Sequence, residues 1–244
     1  MRRVDQQPRY KAYGDKAILI EWGDKLTDDI LKDVLSFKQA IESANLEHLS
    51  EIIQSNQSLL LIYQHTIDAD STIQGLLSIY TTLSDKPYSF NRRIWTIPVC
   101  YDPSFGIDLD DISSQNNLSV HDIINLHSRT TYTVYSIGFL PGFLYLGGLD
   151  ERLYTPRKEQ PRLQVPKGAV GIGGIQTGIY PMDSPGGWQI IGNSPISFFD
   201  PTNRQPCFAK AGDQIQFKPI SLQEHSHITE AVQNKTFTLR ADQL

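Results

Sequence analysis

Cysteine is scarce in this chain of 244 residues: only Cys100 and Cys207 occur. Neither sits in a metal-ligand or redox spacing, so disulfide scaffolds and zinc modules are excluded, and a cytoplasmic location is the expectation. No apolar run approaches the length of a membrane span. The opening MRRVDQQPRY has two arginines but no apolar core behind them, so a secretory signal is not expected. Basic charge is also short. A formal net charge of -5 and a pI near 5.6 argue against nucleic-acid binding, which needs a basic face. There is no GxxxxGK[ST] phosphate loop and no GxSxG nucleophile elbow, hence no self-contained ATPase or esterase signature. Gly171, Gly173 and Gly174 do not make a dinucleotide fingerprint, because Gln176 stands where the last glycine belongs and no capped helix follows.

What the chain does have is concentrated. Eleven of its 17 glycines and six of its 14 prolines fall between Gly138 and Gly187, where average usage gives roughly three or four and two or three. Glycine permits positive φ and close backbone approach, and proline fixes φ, so this stretch is driven through defined turns. Phe139, Leu140, Phe143, Leu144, Tyr145, Leu146, Val165, Val170, Ile172 and Ile179 give it enough apolar surface to pack. A rigid, loop-rich, packed surface is a usual place for a binding site. Between Arg152 and Lys167 five basic residues (Arg152, Arg157, Lys158, Arg162, Lys167) face one acid, Glu159. Arg157 and Arg162, each beside a proline, are read as aimed at a small anion, since the guanidinium fork suits carboxylate or phosphate; solvated loop arginines are the alternative.

The first third reads as an α/β unit. Ala17 to Trp22 is a strand, and a helix capped at Thr27 or Asp28 carries Ile30, Val34, Phe37 and Ile41 at helical spacing. Leu49 to Ile53 and Leu59 to Tyr63 form a hairpin, and a second helix presents Ile73, Leu76, Leu77, Tyr80 and Leu83. With one more strand, from Arg9–Ala12 or Ile94–Val99, this order suggests a ferredoxin-like α/β sandwich. The polar stretch Ser84 to Arg92 marks the boundary, giving domains 1–90 and 91–244. The charge is -4 up to Asn91 and -1 beyond. In the second domain, Arg93 to Cys100 and Thr131 to Ile137 are strands. A short helical turn runs from Asp108 to Ser113, and a helix capped at Ser119 ends near His127. Strands follow at 189–191, 196–199, 214–217 and 237–239. Many short strands with Gly/Pro turns indicate a closed β-barrel. The class is α+β.

His121 and His127 are six residues apart and cannot form an i, i+4 metal pair. His127, at a helix end before the strand feeding the Gly/Pro stretch, is a candidate acid, base or hydrogen-bond donor, although a lone histidine is more often structural. His225 and His227, without further ligands, do not make a metal site. Gln176, Thr177 and Tyr180 are candidate polar contacts on a glycine-lined wall. Phe139, Phe143, Tyr145 and Trp188 are candidates for its apolar part, with core packing as the alternative.

The strings Gly138-Phe139-Leu140-Pro141-Gly142-Phe143, Thr155-Pro156-Arg157, Pro161-Arg162, Val165-Pro166, Gln176-Thr177-Gly178-Ile179-Tyr180-Pro181 and Ser184-Pro185-Gly186-Gly187-Trp188-Gln189 together resemble the KipI family. This is the family of the B-type component of the bacterial ATP-dependent 5-oxoprolinase, also labelled allophanate hydrolase subunit 1 or carboxyltransferase-type domain. The resemblance runs from about Tyr10 to Ile220. Two departures are Gly171-Ile172-Gly173-Gly174, where alanine is usual before the second glycine, and Asn193-Ser194-Pro195, where Arg-Thr-Pro is common. The resemblance implies a cyclophilin-like β-barrel for the second domain, and ATP-dependent opening of 5-oxo-L-proline to L-glutamate. It implies a C-type (KipA-like) and an A-type (LamB/YcsF-like) partner, with ATP and Mg2+ serving the complex as co-substrate. On this reading His127, Arg157, Arg162 and Gln176 are catalytic candidates; Phe139, Pro141, Thr177, Tyr180, Gly187, Trp188 and Gln189 line the substrate site. Two alternatives are carried: a KipI-type inhibitor docking a sporulation histidine kinase, and a component acting on urea or a related amide.

Overall fold

The structure is a computed structural model, and it describes residues 7–23, 25–83 and 93–243. The stretch Ser84–Arg92, read from sequence as the boundary, lies outside the described residues. The chain divides into two compact units, Met1–Phe90 and Asn91–Leu244, each a mixture of helices and strands.

In the first unit, β1 (Arg9–Ala12) and β2 (Ala17–Glu21) are followed by α1 (Asp28–Ala44), β3 (Leu49–Gln54), β4 (Ser58–Tyr63) and α2 (Ala69–Thr82). The sheet order is β1-β2-β4-β3, antiparallel throughout. Of the two strands offered by sequence for its last place, Arg9–Ala12 is the one that fills it. Thr27 caps α1 by accepting the Ile30 N–H at 3.2 Å, and Asn45 ends it in the left-handed region at φ 46°. The inward stripe Ile30, Val34, Phe37 and Ile41 packs with Ile18, Ile20, Leu59, Leu61, Leu76 and Tyr80. Asp33 ties the layer together by accepting from Trp22 Nε1 at 2.7 Å and from the Tyr80 hydroxyl.

The second unit holds β5 (Arg93–Val99), α3 (Leu109–Asn116), α4 (Val120–Arg129), β6 (Thr131–Ile137), β7 (Leu144–Gly147), β8 (Arg162–Val165), β9 (Ala169–Gly173), β10 (Gln176–Ile179), β11 (Ser184–Gly186), β12 (Gln189–Asn193), β13 (Gln214–Pro219), α5 (Leu222–Gln233) and β14 (Ala241–Gln243). Eight strands form one sheet in the order β12-β9-β10-β7-β6-β13-β5-β14, while β8 and β11 pair only with each other. The sheet curls until Cys100, just past β5, and Asn193, ending β12, exchange backbone hydrogen bonds of 2.8 and 2.9 Å. Continuous pairing stops at that bridge, so the closed barrel expected from the sequence does not form. The reason is the register: antiparallel pairing of Cys100 with Asn193 sets the rest of β12 opposite the chain beyond β5, while β14 pairs with β5 at its other end, from Arg93 to Trp95. Ile196–Phe199 and Phe237–Leu239, expected as strands, are irregular, and α5, with a complete capping box between Ser221 and Glu224, has no counterpart among the expected elements.

The glycines of β9 and β10 have a packing cause. Gly171, Gly173 and Gly178 share one sheet face, and Trp188 lies on it: a Cβ at Gly173 would stand 2.4 Å from the indole ring, and one at Gly178 3.0 Å. Gly174, at φ 67°, takes the first place of the two-residue turn between these strands. The glycine-lined wall read as an approach for ligand is therefore covered by an indole. Its edge-to-face partner Phe143, together with Tyr180, Val165, Ala169 and Ile190, completes a separate apolar cluster. Gly173→Ala is expected to destabilise the protein by about 1–3 kcal/mol through overpacking against this ring. Urea unfolding checks it, and an unchanged midpoint would mean the indole can move aside at no cost.

Candidate functional site

The site is organised by an acid that sequence reading treated only as the start of a helical turn. Asp108 precedes α3 but makes no side-chain cap bond to it. Its carboxylate, 1% exposed, turns inward instead. One oxygen accepts the Ile190 N–H of β12 at 2.6 Å. The other accepts from Arg162 Nη2 at 2.6 Å and from Lys158 Nζ at 2.9 Å. A buried carboxylate is tolerated only when paired and hydrogen-bonded, and removing one partner of such a pair costs about 3–5 kcal/mol. Lys158 also approaches the exposed Asp111 at 3.5 Å, and its backbone N–H donates to Gly187 O at 2.7 Å. Two cations, Arg162 and Lys158, thus meet two carboxylates, Asp108 and Asp111.

Arg162 opens β8 and pairs with Gly186 of β11, where a Cβ would strike the Tyr180 hydroxyl at 2.3 Å. Arg162 thus projects from the same face of the ribbon that covers Tyr180. Its Nη1 is enclosed without a hydrogen-bond partner. Arg157 is exposed, and its guanidinium carbon lies 5.5 Å from the centre of the Trp188 ring, within cation–π range. Burial raises the Tyr180 hydroxyl above its ordinary value, opposed by a backbone hydrogen bond from Trp188 and by the charges of Arg157 and Arg162. Tyr145 is raised by burial as well, against the pull of Arg157. Gln189 is buried; its Nε2 donates to Pro156 O at 3.0 Å, and its Oε1 is enclosed without a partner.

Of the residues nominated from sequence, Arg157, Arg162, Tyr180, Gly187, Trp188 and Gln189 come together here. Phe139 and Pro141 sit on the exposed turn between β6 and β7. Phe139, at φ 64° and 66% exposed, meets Phe143 of the cluster edge-on, 5.9 Å away. Gln176 is buried at the start of β10, opposite Gly173. His225, part of the H-x-H pair, places Nε2 2.9 Å from Asn193 Oδ1. Asn193 in turn donates to Lys167 O at 2.9 Å, so it serves the bridge region rather than presenting a charge.

His127 is placed otherwise than expected. It is 0% exposed and stacks on Phe217 at 4.6 Å. The Thr177 hydroxyl donates to Gly171 O at 2.9 Å, so it accepts from His127 Nε2–H at 2.9 Å; Nδ1 then accepts from the Tyr101 hydroxyl at 2.7 Å. Both ring nitrogens are spent on a neutral, fully satisfied relay that carries α4 onto β10 and β9. His127 and Thr177 therefore position the wall behind Trp188 and do not reach the surface as an acid, a base or a substrate contact. The spacing missed this because a helix-end histidine looks the same whether it points inward or outward. Asp108 and Lys158 were missed as partners because Asp108 and Arg162 are 54 residues apart.

The model of the carboxyltransferase domain, subdomain C and D, matches residues 8–209. The chain belongs to that family. The B-type component of the 5-oxoprolinase of Bacillus subtilis (strain 168) is 36% identical over 222 residues, 87% of this chain and 92% of that one. The protein of the same name in Haemophilus influenzae is 40% identical over 186 residues, 76% of this chain and 85% of that one. Among solved structures, TTHA0988 superposes with a TM-score of 0.72 at 32% identity over 84% of this chain; this carboxyltransferase-domain chain spans about two fifths, 40%, of that structure.

His127 also makes stability depend on pH. Its ordinary value of 6.5 is lowered by burial to about 3. Below about 6.5 the unfolded chain takes up a proton that the folded chain refuses until about pH 3, so this contribution is intact above the window and is lost as pH falls through it, at about 1.4 kcal/mol per unit. Between about pH 7.5 and about pH 5.5 the wild type is expected to lose about 1.4 kcal/mol more than His127→Gln. Equal losses in urea unfolding would show the ring to be protonated in the folded core.

Proposed function

We propose that this chain is the B-type component of an ATP-dependent 5-oxoprolinase, opening 5-oxo-L-proline to L-glutamate together with partner proteins. The reading is carried by the 36–40% identity to two proteins of that name along most of their length. It is supported by the gathering of Arg162 and Lys158 on Asp108 beside the exposed Arg157. A lactam is a poor electrophile and its nitrogen a poor leaving group, so phosphorylating the carbonyl oxygen at the expense of ATP is a sensible activation. Arg162 and Lys158, with Arg157 at the rim, suit a substrate carboxylate or a transferring phosphoryl group. ATP, with Mg2+, enters as co-substrate of the complex; no resident nucleotide site is assigned to this chain. The partners are a C-type and an A-type component, and the assembly is cytoplasmic; in the described residues no helix is long and apolar enough to cross a membrane.

The fold is read in the same terms. The first unit is taken as a ferredoxin-like sandwich whose outer strand comes from the N-terminal side, supported by the order β1-β2-β4-β3 with two helices. The second is taken as a cyclophilin-like barrel held open to a single bridge, supported by the curled sheet and the Cys100–Asn193 contact.

The test is 5-oxoproline-dependent ADP release, measured with and without the two partners. Turnover is expected only in the full complex. Arg162→Ala is expected to lower kcat/KM roughly ten- to hundredfold, as the loss of one charge-assisted hydrogen bond of about 1.5–3 kcal/mol would, and Arg157→Ala less, because it is exposed. Wild-type rates in both variants would remove the arginines from the reaction. No turnover by any combination of the three components would remove 5-oxoproline as the substrate.

A further inference from the structure

An antiparallel sheet with helices on one face ordinarily alternates, apolar inward and polar outward. The two central strands of the first unit do not. β4 runs Leu59-Leu60-Leu61-Ile62 and β2 runs Ala17-Ile18-Leu19-Ile20, the unbroken apolar pattern of strands covered on both faces. Within the unit only one face is covered. Ile18, Ile20, Leu59 and Leu61 are wholly buried in the core that α1 and α2 close. Leu19, Leu60 and Ile62 point the other way, stay partly exposed and belong to none of the core clusters. The pairing aligns Leu19 with Leu60 and Leu60 with Ile53, which is 44% exposed, so the outward residues form one apolar stripe across three strands. Charge borders that stripe unevenly. On the same face β1 contributes Lys11, in register with Leu19, and Arg9, in register with Glu21. β3 contributes Glu51, in register with Ile62. Lys11 already meets Glu21 at 2.6 Å. The four residues therefore balance in charge, with both cations at the β1 edge and an acid at the β3 edge.

We infer that this face docks a second copy of the chain, sheet against sheet, about a two-fold axis that runs along the strands between β2 and β4. Such an axis lays β1 of one copy over β3 of the other, and β2 over β4. Leu19 then packs on Leu60 of the other copy, and Arg9 and Lys11 come over the edge that bears Glu51. A two-fold running across the strands would lay β1 over β1 and set the two cations against themselves, so the charges select the axis. A patch of four strands about 4.8 Å apart and about five residues long covers only roughly 300 Å2. That is small beside the roughly 800 Å2 per partner of a standard interface, so the dimer forms and parts with concentration. The inference concerns the first unit and stands apart from the proposed activity.

Sedimentation equilibrium of the full chain, from about 1 μM to about 200 μM, is expected to show a reversible monomer–dimer equilibrium. Leu60→Lys should raise the dissociation constant at least about tenfold, because each copy loses a leucine from the buried stripe. Its urea midpoint should stay near wild type, since Leu60 lies outside the core clusters. Should Leu60→Lys not fold, Ile53→Lys, on the exposed edge strand, takes its place with the same expected effect. Lys11→Glu and Glu51→Lys should each weaken self-association, and mixing the two variants should restore it, because a mixed pair has opposite charges at both contacts. No merely structural role produces that rescue. A wild type that stays monomeric throughout overturns the inference, and so does one that uses this face for a different protein instead. A dimer indifferent to Leu60→Lys, or to its Ile53→Lys substitute, overturns it as well, as does a mixture of the charge variants that associates no better than either alone.

Discussion

The second unit depends on a carboxylate that has been taken out of water. Almost wholly buried, Asp108 is tolerable only because Arg162, Lys158 and the Ile190 N–H all converge on it. Stripping a carboxylate of water costs several kcal/mol, so the three donors are held where they are by the penalty of leaving it unpaired. That requirement helps to seat the β8–β11 ribbon, which pairs apart from the main sheet, and the loop before it, which meets that sheet at the Thr155–Gly174 bridge. It also explains why the local excess of basic residues does not simply point into solvent. Two of the five, Arg162 and Lys158, are committed to one acid, while Arg157 remains exposed over an indole.

The aromatic cluster supplies the second constraint. Trp188 lies flat against a glycine face, and Phe143 meets it edge-on at 88°. Behind the glycines, the relay from Tyr101 through His127 and Thr177 to Gly171 O fixes the strands that carry them. Each layer therefore supports the next: a neutral histidine positions the wall, the wall positions the indole, and the indole underlies the arginine at the rim. The fully bonded relay gives His127 a role in preorganisation, the sort of support that keeps contact residues in place without touching ligand.

Much of this was readable in the residues. The apolar period of α1, the cap at Thr27 and the hairpin β3–β4 are local facts, decided by neighbours within a turn or a strand, and they appear in the structure where the spacing put them. The Gly/Pro-rich motifs pointed to the right family, and the cations clustered between Arg152 and Lys167 include Lys158 and Arg162, which the structure gathers on Asp108. The errors have a common source. Asp108 looked like an ordinary helix start, His127 looked able to reach a surface, and the glycines of β9 and β10 looked like room for a ligand. In each case the deciding partner is distant in the chain: Arg162, Thr177 and Trp188 respectively.

By itself, then, the chain of residues determined its family, its mixed α and β elements and the segment where charge and tight turns gather, because these follow from short-range geometry and from motifs that are contiguous. Only the tertiary structure decided which basic residues are spent on a buried acid and which remain exposed. It likewise decided that a histidine is sealed in the core, and that the curled sheet stops at one bridge because the register sets β12 past the end of β5. Burial and pairing are properties of what lies across a contact, and nothing local to Asp108 or His127 specifies what that will be.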